Sequence, residues 1–312
     1  MREGGRALGE VGYALELVRT LVLVATFAYA AERDLATREV SDRLWQLVGV
    51  VGVVLGAVAL AGDGVGPLLL WLLVGGFALE HLLPWDDALG ERRSGWVLPI
   101  ELALYVVVIG VVGGLAYREG IGPSAVPVVV ISALVSVVLA RLLFEVGVLY
   151  GGADAKALIV LGVLVPLFGA PLLYRTAASD AVLRFLPFSV TVLTNAALLS
   201  VVAPIVIAVR NVVRGEFSFA RGFTGYTLPV EELPRRFVWV RDPAMGQDTM
   251  VDDAETSEED TRRRTEIARD LTARGVRRVW VTPQLPFLVL MAVGAFTGVL
   301  FGNLLLDLFG AL

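Results

Sequence analysis

Gly151-Gly152-Ala153-Asp154-Ala155-Lys156 sets a carboxylate and an ammonium between two long apolar runs, Ala125 to Leu149 and Ala155 to Tyr174. Lipid offers backbone groups no hydrogen-bond partner, so a chain exposed to it must be helical, and a charge at its centre costs about 2.5–3.5 kcal/mol on insertion scales. An acid in this position therefore belongs at a membrane boundary or in a wet cavity. Lys156 is the only lysine in the chain, which singles out its place two residues after Asp154. A plainer reading is also open: the glycines make a turn and Asp154 begins the next helix, where the dipole favours negative charge.

Working outward, the chain shows eight runs long and apolar enough to be spans of about 20 residues. They are Tyr13 to Ala31, Leu44 to Ala61, Gly66 to Leu83, Trp96 to Tyr117, Ala125 to Leu149, Ala155 to Tyr174, Phe188 to Val209 and Leu285 to Phe309. Hydrophobic residues make up 56% of the 312 and charged residues 18%, against roughly 45–50% apolar in soluble domains. The expected fold is an all-α polytopic membrane protein, a bundle of about eight (six to eight) transmembrane helices. With no cysteine, disulfides, thiol nucleophiles and Cys-ligated zinc are excluded; a single histidine argues against a His-based metal site or a Ser-His-Asp triad, and no metal or cofactor is expected. No basic, aromatic-interleaved patch suggests nucleic acid. The first run lacks a small-residue cleavage site and is read as a retained span.

Arginine in the short loops sets orientation. With the N-terminus outside, the inner side carries Arg33, Arg38 and Arg43, then Arg92 and Arg93, then Lys156 and an arginine-rich insert. Asp34, at the end of the first run, and Asp154, at the start of the sixth, are separated by four runs and so face the same side. Treating the second and third runs as a hairpin about Gly62-Asp63-Gly64 leaves that parity unchanged.

Between Arg214 and Pro283 lies the one long polar section. Phe237-Val238-Trp239-Val240 reads as a short strand, Val251 to Asp260 as an acidic linker, and Ser257 with Asp260 as a capping-box start to a helix through Ala273 stopped by Gly275. The expected organisation is a membrane core over residues 1–213, a small cytoplasmic α+β insert over 214–284, and a terminal helix over 285–312. A solvated connector without catalytic part is the plainer reading of the insert.

Two aspartates that meet cannot both ionise easily, so they share one proton. The ionised member activates a water for attack on a peptide carbonyl, and the protonated member polarises that carbonyl and then serves the leaving amine. Such chemistry needs no cysteine, histidine or metal.

The stretch Asp34-Leu35-Ala36-Thr37-Arg38-Glu39-Val40-Ser41-Asp42 resembles the first aspartate motif of the type IV prepilin peptidases, and Gly151-Gly152-Ala153-Asp154 resembles their second, a variant of Gly-x-Gly-Asp. With Lys156, and with Trp280-Val281-Thr282-Pro283-Gln284-Leu285-Pro286-Phe287 leading into the last run, the chain is most similar to the archaeal branch, the preflagellin (prearchaellin) and prepilin peptidases. The resemblance implies a membrane aspartic endopeptidase that removes the short basic leader of pilin-like or archaellin precursors at the cytoplasmic face of the cell membrane. It carries over Asp34 and Asp154 as the catalytic pair and Gly151 and Gly152 as the turn that brings Asp154 in; Arg38 and Lys156 are supporting residues. Cysteine-bearing relatives also N-methylate their product; this cysteine-free chain is expected to cleave only. Two runs more than usual lie between the aspartates, and the insert is long.

Other readings stay open. A presenilin-like intramembrane protease shares the Gly-x-Gly-Asp core, but its Pro-Ala-Leu segment and Tyr-Asp motif are not found here. A proton- or cation-coupled transporter would use the same two acids near the midplane. Arg38 reads equally as an inner-face anchor and Asp42 as a helix cap. Arg141 and Glu145 read as a self-neutralising pair, and His81 beside Glu80 as a hydrogen-bonded interface residue. Glu101 is the strongest unassigned acid.

Overall fold

The computed structural model describes residues 2–83, 97–119, 126–149, 151–168, 185–240 and 257–310. Arg92, Arg93, Arg175 and Arg184 lie outside the described residues, as do the far end of the sixth run and most of the acidic linker; of Glu101 only the backbone is described. The helices are α1 (Arg2–Thr37), α2 (Asp42–Leu60), α3 (Val65–Glu80), α4 (Val97–Glu119), α5 (Val126–Glu145), α6 (Gly152–Leu164), α7 (Phe188–Ser200), α8 (Val202–Val213), α9 (Ser257–Ala273), α10 (Phe287–Phe301) and α11 (Leu304–Gly310). Three strands accompany them: β1 (Tyr226–Pro229), β2 (Val238–Val240) and β3 (Arg278–Pro283). The described residues form two compact units. The first comprises Met1–Glu32, Val40–Leu198 and Leu288–Leu312, and the second Arg33–Glu39 and Leu199–Phe287.

Among the described residues four stretches are long and apolar enough to cross a membrane, namely Gly12–Thr37, Asp42–Asp63, Val126–Glu145 and Phe188–Val213, with α10 and α11 a fifth if the bent pair is one span. The chain is thus a helical, membrane-type protein with a small sheet, but the described helices do not supply eight full spans. In α2 the reason for membrane character is plain: Trp45, Val48, Gly49, Gly52 and Gly56 are buried, whereas Leu47, Val50, Val54 and Val58 are exposed. A helix apolar on both its inner and outer faces suits lipid and not water. The expected hairpin forms between α2 and α3, and Gly64 at φ 104° supplies the left-handed turn that other residues resist.

The sixth expected span requires correction. Helix α6 stops at Leu164 after 13 residues, about 20 Å, against a hydrocarbon core of about 30 Å. Val165 leaves the helix at φ −134°, ψ 75°, as the residue before a proline is driven to do, and Pro166 follows. Every residue from Ala157 to Leu164 is buried. The helix lies against α2 and α5, so closely to α2 that a β-carbon on Gly52 would come within 2.9 Å of the Leu164 nitrogen.

The terminal run is also interrupted, with a bend of 51° between α10 and α11. The break falls at Gly302, φ 84°, and the freed backbone groups find partners in two buried amides. Asn195 donates to the Gly302 carbonyl at 2.9 Å and accepts from the Leu304 N–H at 2.9 Å. Asn303 accepts from the Leu306 N–H at 3.1 Å while donating to Thr194 at 2.9 Å.

In the second unit β3 lies between β1 and β2, antiparallel to both, with Tyr226 opposite Val281 and Val238 opposite Pro283. Its core gathers Leu228, Leu233, Val238, Val240, Leu271, Val279 and Val281. Helix α9 spans Ser257–Ala273 and ends before Gly275 at φ 79°, the expected stop; Asp260, expected to close a capping box, pairs with Arg264 on the same helix. The Trp280 to Pro283 stretch, read from sequence as a lead-in to the last span, is the central strand.

Candidate active site

The residues singled out from the sequence fall in two sets, one in each unit. Asp34, Arg38 and their neighbours belong to the second unit, and Gly151, Gly152, Asp154, Lys156 and Asp42 to the first.

Asp34 sits on the last turn of α1 and is only 8% exposed. The helix closes on Arg38, whose N–H donates to the Asp34 carbonyl at 3.2 Å, while the Thr37 hydroxyl donates to the Arg33 carbonyl at 3.0 Å and accepts from the Glu39 N–H at 3.3 Å. Arg38 has φ 61°, a left-handed backbone that costs an L-residue about 1–2 kcal/mol. Its side chain is held in three ways. One guanidinium nitrogen lies 3.8 Å from the Asp34 carboxylate, another donates to the Gln284 carbonyl at 2.7 Å, and the group stands over the Phe237 ring at 5.1 Å. Burial holds the guanidinium below its ordinary value, opposed by the Asp34 carboxylate. Arginine starts so high that it remains a cation throughout the working pH range.

In the other set Gly151 is the N-cap of α6, and the N–H groups of Asp154 and Ala155 both point to its carbonyl, at 3.0 and 3.4 Å. Asp154 thus lies in the first turn, where unpaired N–H groups favour negative charge. The reason for Gly151 differs from the one the sequence suggests. Its backbone, φ −96° and ψ 129°, is ordinary extended conformation open to any residue. What matters is space: a β-carbon there would come within 3.0 Å of Asp154 Oδ2 and 3.3 Å of Cγ. Gly152 is exposed, helical and open, with nothing near a would-be β-carbon.

Lys156 reaches across to α2 and pairs with Asp42 at 2.6 Å. Asp42 therefore does more than open its helix, although it is also the first residue of α2 and lies where the dipole favours acid. Sequence spacing gave no sign of this pairing; the signal was the single lysine.

The other polar residues take the plainer roles. Arg141 and Glu145 pair at 2.7 Å, and His81 stands within 3.0 Å of the Tyr105 hydroxyl and 2.9 Å of the Phe77 carbonyl and of Glu80. No group of three or more metal-ligating side chains occurs among the described residues. Comparison with protein-family models and with curated proteins finds no match for this chain.

Proposed function

We propose that the protein is a membrane aspartic endopeptidase that removes the short basic leader of pilin-like or archaellin precursors at the cytoplasmic face of the cell membrane, without methylating the product. The observation that carries this reading is the Lys156–Asp42 ion pair. It joins Asp42, the last residue of the first motif, to Lys156, two residues after Asp154, on α2 and α6 of the first unit. In the working enzyme Asp34 and Asp154 share one proton. The helix N-terminus favours charge on Asp154, which makes it the base that takes a proton from water as that water attacks the scissile carbonyl. Asp34 is the acid that donates to the carbonyl oxygen, and proton return to the amine completes cleavage.

Cleavage of a pilin-like precursor by membranes bearing wild type, Asp34→Asn or Asp154→Asn at matched abundance tests it. Both substitutions are expected to abolish cleavage. Full activity in either one removes that residue from the mechanism.

The interruptions at Val165 and Gly302 favour a second reading, a proton- or cation-coupled transporter, because discontinuous helices are a mark of such sites. It carries less weight because Asn195 and Asn303 satisfy backbone groups at the second break. Acid-dependent flux in proteoliposomes, lost in the same two variants, would favour it.

A further inference from the structure

The plainer reading of the α+β insert is a connector without catalytic part, yet one edge of its sheet makes a closed set of contacts with Arg38. The Gln284 N–H donates to the Phe237 carbonyl at 3.0 Å, which continues the β2–β3 pairing by one step past Val238 and Pro283. The Gln284 carbonyl then accepts from Arg38 at 2.7 Å, and the Arg38 guanidinium returns over the Phe237 ring at 5.1 Å. The same ring carries a second guanidinium, that of Arg264 on α9, at 5.3 Å. Arg264 is 2% exposed and is neutralised by Asp260 on its own helix. Sheet, helix α9 and the end of α1 thus meet on one aromatic ring.

We infer that the insert is a positioning element for the first acid: Phe237 and Gln284 hold Arg38 in its left-handed conformation with its charge beside Asp34. Three features favour this over incidental packing. A non-glycine residue at φ 61° does not persist unless its surroundings fix it. The contacts converge on a cation 3.8 Å from the acid. The ring is set by a backbone hydrogen bond and by a buried, separately neutralised arginine, so its place does not depend on Arg38. Phe237 and Gln284 act through Arg38 and have no contact with substrate in this scheme. The catalytic half of the inference rests on the proposed peptidase reading, and the positional half does not.

The absence of cysteine allows one clean probe. A nitroxide on Glu39→Cys, at the exposed residue next to Arg38, reports motion of this segment in the full chain in nanodiscs. Phe237→Ala and Arg38→Ala are each expected to mobilise the label, the double variant no further than either one, and Phe237→Tyr to restore the wild-type spectrum. Cleavage should follow, with kcat reduced about two- to thirtyfold in Phe237→Ala, the range of one cation–π contact, KM nearly unchanged, and recovery in Phe237→Tyr. An unchanged label in Phe237→Ala overturns the inference whatever cleavage does. A mobilised label with undiminished kcat, where Asp34→Asn is dead, overturns its catalytic half. Should Asp34→Asn itself cleave, the peptidase assignment of Asp34 is what fails, and the label alone decides whether the insert holds Arg38. Circular dichroism and thermal melting identify a Phe237→Ala chain that has not folded; Phe237→Leu then replaces it under the same criteria.

Discussion

Replacing Gly151 by alanine isolates the position of one carboxylate from nearly everything else. The backbone at φ −96°, ψ 129° accepts alanine, so no strain arises there, and loss of unfolded-state freedom favours the variant by about 0.4–1 kcal/mol. Alanine is a poorer N-cap than glycine by a comparable amount, so the two effects nearly cancel and the melting temperature should hardly move. The new methyl, however, would lie 3.0 Å from Asp154 Oδ2 and 3.3 Å from Cγ. A comfortable carbon–oxygen contact is a few tenths of an ångström longer, and the flexible member is the carboxylate, which must swing away. Misplacement by 1 Å costs catalysis on the order of 10²-fold, so a shift of about half that predicts a loss of about three- to thirtyfold in kcat. Gly152→Ala is the matched control: at an exposed and open helical position it should gain up to about 1 kcal/mol in stability and leave kcat alone. The assay is cleavage of a pilin-like precursor by the purified variants in nanodiscs, with thermal unfolding followed by tryptophan fluorescence. Wild-type cleavage in Gly151→Ala, or equal losses in both variants, would refute the reasoning, because conformational freedom or general turn damage would then explain the glycines better than space beside Asp154.

Two further outcomes are expected. The Lys156–Asp42 pair is partly exposed, 18% on the lysine and 36% on the aspartate, so a double-mutant cycle with Lys156→Gln and Asp42→Asn should give a coupling of only about 0.5–1 kcal/mol; thermal unfolding in detergent that shows strict additivity would mean that the pair does not help hold α6 against α2. Asn195→Leu removes the partners of the Gly302 carbonyl and the Leu304 N–H, and two orphaned backbone groups at about 1–3 kcal/mol each predict a loss of about 2–5 kcal/mol in equilibrium unfolding. A neutral effect there would mean that water already reaches the bend.

Much of this was legible from the sequence where local chemistry decides. The end of helix α9 followed from Gly275, and the α2–α3 hairpin from Gly62-Asp63-Gly64, because left-handed turns are set within a few residues. The truncation of α6 was overlooked because hydropathy continues smoothly beyond it; Pro166, with its constraint on Val165, was the signal that outweighed the apolar run. Strand β3 was missed for a different reason: Val279 and Val281 find partners some fifty residues earlier in β1, and a strand of six residues beside an apolar helix reads as its approach. The bend at Gly302 was marked by a Gly-Asn pair within an otherwise apolar run, but what makes it tolerable is Asn195 on another helix. Arg38 on Phe237 left no trace in spacing at all, since a cation and a ring remote in sequence carry no period.

The short α6 changes what membrane depth can say about the acids. On a full span an aspartate is placed by hydrophobic thickness, because the helix slides until its apolar length matches the lipid. Helix α6 is shielded by α2 and α5 and too short to match any bilayer by itself, so Asp154 is placed by its neighbours: Gly52 against the Leu164 backbone at the far end, the Lys156–Asp42 pair near the first turn. Protein, not lipid, is also what permits its end at Val165, since interrupted backbone at membrane depth is tolerated only where protein or a wet cavity surrounds it. Depth alone therefore ceases to separate a peptidase from a transporter for this acid. The separating property is what the carboxylate does once water reaches it, which is why loss of peptide cleavage on Asp154→Asn carries more weight than any measurement of depth.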